Sequence, residues 1–525
     1  MMSRLGRQTL FAASVVTIGT NIAGRFLGYA REALIAGYFG TSATLDLFVL
    51  AFTIPELITF IAFAAIPTAL IPSLRKLSLD RAAEERTILS TSLTLFVLLF
   101  GGISILLYLF RGQILHAYAP ELPAESRAIG EHLLAIVAPF VFFRGIEAFF
   151  RSWLFEKKQF IIPAVSAMIV NVILLITLVL MYDRFRVDAL AYGWLIASAV
   201  LAAFNGYFVL KTVRPTLFRG LRMDFVRPLL TFTLAVSVVE CMALLYPVVD
   251  RYLAAAFLGE GQIAALRYAT FLIHIPTGMF IVAFTQASFP WISDLSVASE
   301  RENLLRLYAR SVRLILFTMA FVAAVIVIFP TELVRIAFQR GAFDAHSLKL
   351  TSSPVFYLAL GVVFYSVYLF QIKFYYARMT LKRLGAILVI MLLLKIILSL
   401  VLVRPMEQDG LALATAITWV CGAIMMTTDL GRTLRISLHE LISSDGYKIL
   451  FSAGVLLLFL WGVAHLWSGG PHERFAAVLT RMTVITAAGA VLYGGVAYLL
   501  GLKELGQLRR SLFGRSKNQS EADPE

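Results

Sequence analysis

Asn21-Ile22-Ala23-Gly24-Arg25-Phe26-Leu27-Gly28-Tyr29-Ala30-Arg31-Glu32 places three charges and two glycines inside an apolar run that extends from about residue 9 to 38. About twenty apolar residues cross a bilayer core, so the run reads as a membrane helix. A charge at the centre of such a helix costs about 2.5–3.5 kcal/mol on insertion scales and therefore faces a wet cavity or a partner. Arg25, Gly28 and Glu32 are spaced i, i+3, i+7 and share one face; Arg31 lies about 100° around the helix from Glu32. Gly24 and Gly28 form a small-xxx-small pair that suits close helix approach. Two readings stand: an internal Arg–Glu tie between helices, or a cationic wall lining a cavity.

The rest of the chain repeats the apolar pattern. Of its 525 residues 59% are hydrophobic and 15% charged, with a mean hydropathy of +0.83. A soluble protein of this size does not have that balance. About fourteen spans are expected, at 9–38, 44–72, 88–110, 128–152, 160–182, 188–210, 226–258, 263–292, 307–330, 351–377, 384–403, 410–430, 447–467 and 475–501. The polar stretches between them are too short for a soluble catalytic domain. The expected fold class is an all-α polytopic membrane protein.

The net charge of +14 follows the positive-inside rule and is no sign of nucleic-acid binding. Alternate loops are basic: Arg75, Lys76, Arg81 and Arg86; Lys211, Arg214, Arg219, Arg222 and Arg227; Arg301, Arg306, Arg310 and Arg313. These loops are expected on the cytoplasmic side, with both termini, where they also favour anionic lipids. Arg4 and Arg7 precede the first apolar run as in a signal peptide, but the helical pattern continues to Gly40, which reads as an uncleaved span. Residues 503–525 read as a polar cytoplasmic tail.

Landmarks recur six spans apart. Ala36-Gly37-Tyr38-Phe39-Gly40 is followed by Ile54-Pro55, and Ala255-Ala256-Phe257-Leu258-Gly259 by Ile275-Pro276. Arg31 and Arg251 precede the two glycines. Two six-helix halves, 1–220 and 221–435, are expected, with two added helices in 436–502. Pro55 and Pro276 each remove a helix hydrogen bond and read as kinks that shape a cavity or act as hinges.

Among the basic residues in apolar segments, Arg25, Arg31, Arg144, Arg251, Arg267 and Lys395 stand out. Several arginines around a cavity attract an anion, and the guanidinium fork fits phosphate oxygens in bidentate geometry. Acids are supplied by Asp46, Glu56, Glu240 and Asp250. Arg144 and Glu147, at i, i+3, read as a structural pair. Asp250 and Arg251 adjoin but point to different faces. Lys395 stands in an apolar run and is open between a lipid contact and a tie to another helix. His274, two residues before Pro276, reads as a hydrogen-bonded packing residue. Cys241 and Cys421 fall inside spans and suggest neither a disulfide nor a metal site. The sequence carries no metal-ligand spacing, phosphate loop, nucleophile triad or paired aspartates, so neither a catalytic residue nor a cofactor is expected. No ATP motif is present, which leaves an ion gradient, the membrane potential or substrate supply as the energy source.

Arg25-Phe26-Leu27-Gly28-Tyr29-Ala30-Arg31-Glu32 resembles the first-helix signature R-x-L-G-x-x-R-[DE] of the MurJ/MviN family. Asp46 with Phe52-Thr53-Ile54-Pro55, Arg340-Gly341-Ala342-Phe343, Phe374-Tyr375-Tyr376-Ala377-Arg378 and Gly410-Leu411-Ala412-Leu413-Ala414-Thr415 are similar to its later landmarks, in order, over nearly the whole chain. The resemblance implies a fourteen-helix flippase of the MOP superfamily, with a MATE-like fold. Its members move lipid-linked glycan precursors, typically lipid II for peptidoglycan, across the bacterial inner membrane. It implies a cavity among helices one, two, seven and eight, with Arg25 and Arg31 in it, and a groove on helices thirteen and fourteen for the polyprenyl tail. From these readings, Arg25, Arg31, Arg251 and Arg267 are the expected substrate ligands. Gly28, Glu32, Asp46, Pro55, Asp250, His274 and Pro276 are the expected cavity and gating residues. The expected partners are the anionic lipid-linked glycan, membrane lipids and enzymes of cell-wall or polysaccharide synthesis. Two segments, in helices two and eight, depart from the family pattern. Thr59, Ala64 and Ala65 stand where it often has arginine and Glu-Gly, and Phe271 where it often has an arginine one turn after Arg267. Another lipid-linked oligosaccharide is therefore an alternative substrate. A cation-coupled drug exporter would need an acid-dominated cavity, and an intramembrane glycan-lipid transferase a metal-binding acid cluster.

Overall fold

The computed structural model describes residues 10–77, 82–157, 159–213, 223–298, 300–434, 444–467 and 475–502, with single residues 215, 470, 473 and 506. Among these residues the secondary structure is helical, without strands. Eleven helices are long and apolar enough to cross a membrane by length and composition. This is a multi-pass membrane protein.

The helices are α1 (Leu10–Phe39), α2 (Ala43–Leu77), α3 (Ala82–Leu109), α4 (Arg111–Tyr118), α5 (Ala124–Glu156), α6 (Ile161–Phe185), α7 (Asp188–Thr212) and α8 (Met223–Phe257). Then come α9 (Gln262–Pro276), α10 (Val282–Val297), α11 (Arg301–Ile328), α12 (Pro330–Phe338), α13 (Ala345–Ala377), α14 (Leu381–Leu434), α15 (Ser444–Leu466) and α16 (Phe475–Leu499). The chain forms two compact units: Met1–Ala264 with Arg340–Ser347, and Ala265–Gln339 with Leu348–Glu525. The division differs from the boundary expected at residue 220, because α8 packs on α2 within the first unit.

In the first unit α5 is the central helix, against α2, α3 and α7. Its buried face carries Leu133, Val137, Phe140, Phe149 and Trp153. Phe52 of α2 and Trp194 of α7 meet Phe140, with ring centroids 5.0 and 5.9 Å away. Lipid tails are as apolar as leucine, so such helices associate through close packing and a few polar ties. The Arg144–Glu147 pair lies within α5 at the expected i, i+3 spacing, and the Arg144 guanidinium reaches across to α2, 4.2 Å from the Phe63 ring centroid.

In the second unit α11, α15 and α16 share a core. Tyr493 of α16 stacks on Phe317 of α11, centroids 4.8 Å apart, and donates to the Phe317 carbonyl at 2.9 Å. α14 is broken at Glu407, where φ is +51°. Its two halves fold back closely: a Cβ on Gly410 would lie 2.2 Å from the Leu402 carbonyl oxygen.

Candidate functional site: two anchored arginines in the first unit

Arg31 sits near the end of α1, where α1 packs on α6. Its Nε and Nη2 donate to Glu32 Oε1 at 3.1 and 2.7 Å, and its Nη1 donates to Asn171 Oδ1 at 2.9 Å. Asn171 is fixed in turn by donating to the Gly24 and Ala167 carbonyls at 3.2 and 3.3 Å. The guanidinium lies 5.3 Å from the Trp194 ring centroid. Arg31 is thus tied to its neighbour on α1 and to α6, as the tie reading anticipated. These bonds use three of the five guanidinium N–H groups, and the side chain is 16% exposed while Glu32 is 2% exposed. The small-residue expectation is only partly met. A Cβ at Gly24 or Gly28 would find its nearest neighbour 3.9 Å away, so neither position demands glycine on steric grounds.

Arg251, on α8, is held by α2. Its Nη1 donates to Thr53 Oγ1 at 2.9 Å and to Glu56 Oε2 at 3.0 Å. Glu56, next in sequence to the buried Pro55, is thus the carboxylate that orients it, while Asp250, adjoining Arg251 on α8, is half-buried. The Nε and Nη2 edges are not used by these bonds. Tyr118 of α4 lies alongside: its hydroxyl donates to the Val248 carbonyl at 3.2 Å and its ring is 6.3 Å from that of Tyr252. Burial pushes the Tyr118 phenol well above the ordinary range, so it stays neutral and acts as a donor.

Arg25 is exposed on α1, beside Phe26. Asp46 is placed otherwise than expected. It is buried and accepts the N–H groups of Gly261 (2.6 Å) and Ala264 (2.7 Å). It caps α9, where orphan N–H groups favour a carboxylate. The Arg340-Gly341-Ala342-Phe343 stretch docks beside it, with the Ala342 N–H on the Gly37 carbonyl at 2.7 Å and the Thr41 hydroxyl 3.0 Å from that of Ser347. Gly40, Gly261 and Gly341 take φ of +54°, +81° and +57° here. These landmarks form a structural clasp. Asp344 completes it by accepting the Ser347 N–H at 2.8 Å, which holds its carboxyl below the ordinary range. A cavity of about 290 Å³ adjoins the clasp, lined by Tyr38, Phe39, Ser42, Thr44, Tyr182, Arg186 and Val187. None of the expected ligands lines it.

In the second unit Arg267 is half-buried on α9 with its guanidinium 5.8 Å from the Tyr268 ring centroid. Phe271 packs toward Phe338 of α12, centroids 6.5 Å apart. His274 meets Tyr365 edge-on at 5.3 Å, in keeping with a packing role. Pro276 is followed by a π-helical turn, Thr277–Ile281, where the removed hydrogen bond widens the helix. Pro55 produces no such turn; α2 runs on through it. The two prolines are therefore not equivalent in local structure. Lys395 is fully buried and donates to the Leu411 carbonyl and the Thr415 hydroxyl, so it ties the halves of α14. The side chains of Asn21 and Glu240 and the tail from residue 507 lie outside the described residues.

Sequence reasoning passed over Arg481 on α16. It is 3% exposed, donates to Glu473 Oε2 at 2.9 Å and the Trp467 carbonyl at 3.0 Å, and lies 3.9 Å from Glu332. Its position inside an apolar span was a sufficient signal; its partners, in a turn and on α12, had none. Asn171 was likewise legible as a polar residue in an apolar span. Among the described residues no cluster of three or more His, Cys, Asp or Glu could hold a metal.

Comparison with known proteins places this arrangement. The sequence model described as "Lipid II flippase MurJ" matches residues 35–480. A probable lipid II flippase MurJ of Rhizobium tropici is 24% identical over 516 residues, covering 94% of this chain and 95% of that one. One from Thermotoga maritima is 27% identical over 408 residues, covering 77% and 82%. Among solved structures, "Lipid II flippase MurJ, inward closed conformation" aligns with a TM-score of 0.79 at 21% identity, covering 95% of this chain and 99% of that one. An inward-facing MATE multidrug transporter of the MOP superfamily aligns at 0.66 and 13% identity, covering 81% and 99%. The fold is that of the MOP transporters. Since the family's pattern spans most of the sequence, from the end of α1 into α16, the chain belongs to the lipid II flippase MurJ family.

Proposed function

We propose that this protein flips a polyprenyl-pyrophosphate-linked glycan, lipid II foremost, from the inner to the outer leaflet of the bacterial inner membrane. The observation that carries the reading is the state of Arg31 and Arg251. Each is fixed by a carboxylate and a neutral partner, Arg31 through all three guanidinium nitrogens and Arg251 through Nη1; they are 16% and 18% exposed, and each has guanidinium N–H groups that these bonds leave over. An arginine anchored in this way is pre-oriented to fork onto phosphate oxygens. Arg25 and Arg267 are the further cationic ligands in this reading. The pyrophosphate-sugar head is held by arginine while the lipid tail stays in the bilayer near α15 and α16. Alternating access then presents the head to the other leaflet. Asp250, His274 and the bend at Pro276 shape the path. Fourteen crossings with both termini inside, and two six-helix halves followed by two added helices, complete the scheme. Enzymes of cell-wall synthesis are the natural suppliers and consumers of such a lipid, and the chain itself performs no bond chemistry.

The test is replacement of an essential lipid II flippase by this gene, with flipping read in intact cells. Growth with normal lipid II export supports the reading; growth arrest at full membrane abundance overturns it. One observation favours a second substrate, another lipid-linked oligosaccharide: Phe271 packs toward Phe338 at a position where a cation was expected. Arg267→Ala decides between the two. If Arg267 supplies the missing charge, its loss is expected to weaken lipid II flipping about as much as loss of Arg31. Wild-type flipping by this variant would shift the substrate away from lipid II.

Topology is checked by labelling in a background with Cys241 and Cys421 replaced by serine. Cysteines at Glu121 and Glu260 are expected to react from outside, and at Thr212 and Met379 only after permeabilisation. All four are exposed, whereas Gln262, which sequence alone would have offered as an external site, is buried. The reverse labelling pattern would invert the scheme.

A further inference from the structure

The face of α5 that meets α2 carries a positive charge that none of the roles above uses. Arg144, Glu147 and Arg151 stand at i, i+3 and i+7 on α5 and share one side of the helix. Phe63 of α2 lies against both cations, its ring centroid 4.2 Å from the Arg144 guanidinium and 5.6 Å from that of Arg151. Arg144 donates through Nη1 to Glu147 Oε2, and its Nε is buried without an acceptor among the described residues. Arg151 is half-buried and makes neither a hydrogen bond nor an ion pair among the described residues; it rests on the rings of Phe63 and Phe155. Glu147 is the carboxylate that acts on both guanidinium groups, so two cations share one anion and the cluster stays positive. α2 brings no basic residue of its own before Arg75.

Phe63 follows Glu56 by seven residues on α2, about 10 Å along the helix and on nearly the same face. Glu56 holds Arg251. One face of α2 therefore meets guanidinium groups at two levels: Arg251 beside Glu56, then Arg144 and Arg151 two turns nearer the carboxyl end of α2. Charged side chains inside membrane spans pair with a partner or mark a substrate path, and Arg151 lacks the partner. An aromatic face steadies a guanidinium by cation–π attraction while its N–H edge stays available, and two such forks over one ring suit phosphate oxygens. We propose that Arg144 and Arg151, seated on Phe63, form a second station for the phosphate of a lipid, two turns from the Arg251 clamp. The inference rests on the flippase reading. In that topology α2 and α5 run toward the cytoplasm, so the station lies on the loading side and receives the diphosphate before Arg251 and Arg31 do. An inner-leaflet phospholipid offers the same phosphate chemistry.

The experiment titrates the purified full-length protein, in a neutral detergent, with two radiolabelled lipids: a polyprenyl diphosphate and phosphatidylglycerol. Arg151→Gln is expected to weaken binding of the diphosphate about tenfold, the loss of one charge-assisted contact. Arg151→Lys keeps the charge and recovers part of the loss. Phe63→Leu, which removes the ring and leaves both cations, is expected to cost roughly two- to fivefold, and Phe63→Tyr to restore the affinity. The unfolding midpoint of Arg151→Gln is expected at or above the wild-type value, because the variant removes a cation that no protein group pairs. Weaker binding of the diphosphate assigns the station to the flipped lipid, and weaker binding of phosphatidylglycerol alone assigns it to the phospholipid. The proposal is overturned if Arg151→Gln binds both lipids as wild type does, or if it unfolds below wild type, which would make Arg151 a structural tie. A wild-type protein that binds no polyprenyl diphosphate would instead sink the flippase reading, and the phosphatidylglycerol titration would still decide the station.

Discussion

Gly341→Ala is expected to lower the thermal unfolding midpoint of the purified protein by many degrees, or to prevent its accumulation in the membrane. Gly341 sits at φ +57°, a left-handed conformation that costs an L-residue about 1–2 kcal/mol. A Cβ there would lie 2.2 Å from the Gly37 carbonyl oxygen. That oxygen is main chain, accepts the Ala342 N–H at 2.7 Å, and cannot rotate away. Relief requires the clasp to open, for a total of about 3 kcal/mol or more. Gly261→Ala meets the same obstacle at the Thr41 carbonyl oxygen, also 2.2 Å away, and pulls the Asp46 cap off α9 with it. Gly385→Ala is the control. It is helical with nothing within 4 Å of a new Cβ, and its substitution is expected to be neutral or stabilising by about 0.5–1 kcal/mol. Equal midpoints for Gly341→Ala and wild type would show that the clasp does not hold the first unit together.

Arg31→Ala is expected to weaken binding of a pyrophosphate lipid roughly ten- to a hundredfold, because a charge-assisted contact to phosphate contributes about 1.5–3 kcal/mol. Arg31→Lys keeps the charge and loses the fork, so it recovers only part of the affinity. The geometry adds a complication that the sequence did not announce. Arg31 also neutralises Glu32, and removing one partner of a buried pair costs about 3–5 kcal/mol of stability. The informative set is therefore Arg31→Ala, Glu32→Gln and the double variant, with unfolding and binding both measured. The double variant is expected to regain most of the stability and none of the binding. If binding returns along with stability, Arg31 is a structural tie and not a ligand.

A third variant isolates Arg481. Arg481→Met leaves Glu473 and Glu332 without their shared cation and is expected to destabilise the protein by about 3 kcal/mol. An unfolding midpoint at the wild-type value would place the strength of this region in the Phe317–Tyr493 packing alone.

Apolar runs of membrane length decided the helical class, because backbone groups in lipid must be paired within each helix. That constraint is local, so composition reveals it, and the same holds for the charge bias of the loops. The i, i+3 pair of Arg144 and Glu147 was legible for the same reason: its geometry belongs to one helix. The tertiary structure decided everything that depends on which helices meet. Asp46, one acid among several in the sequence, finds the start of α9 and becomes its cap. Glu56 of α2, not the adjacent Asp250, takes Arg251 of α8. Asn171 of α6 fixes Arg31, and α8 joins the first unit although the repeat assigned it to the second half. The Arg340-Gly341-Ala342-Phe343 motif was visible as a string, but its purpose lies in a carbonyl three hundred residues earlier in the chain. Helix periodicity fixes what a residue shares a face with. It does not fix which face of which neighbour comes to meet it, and a buried charge takes its role from that meeting.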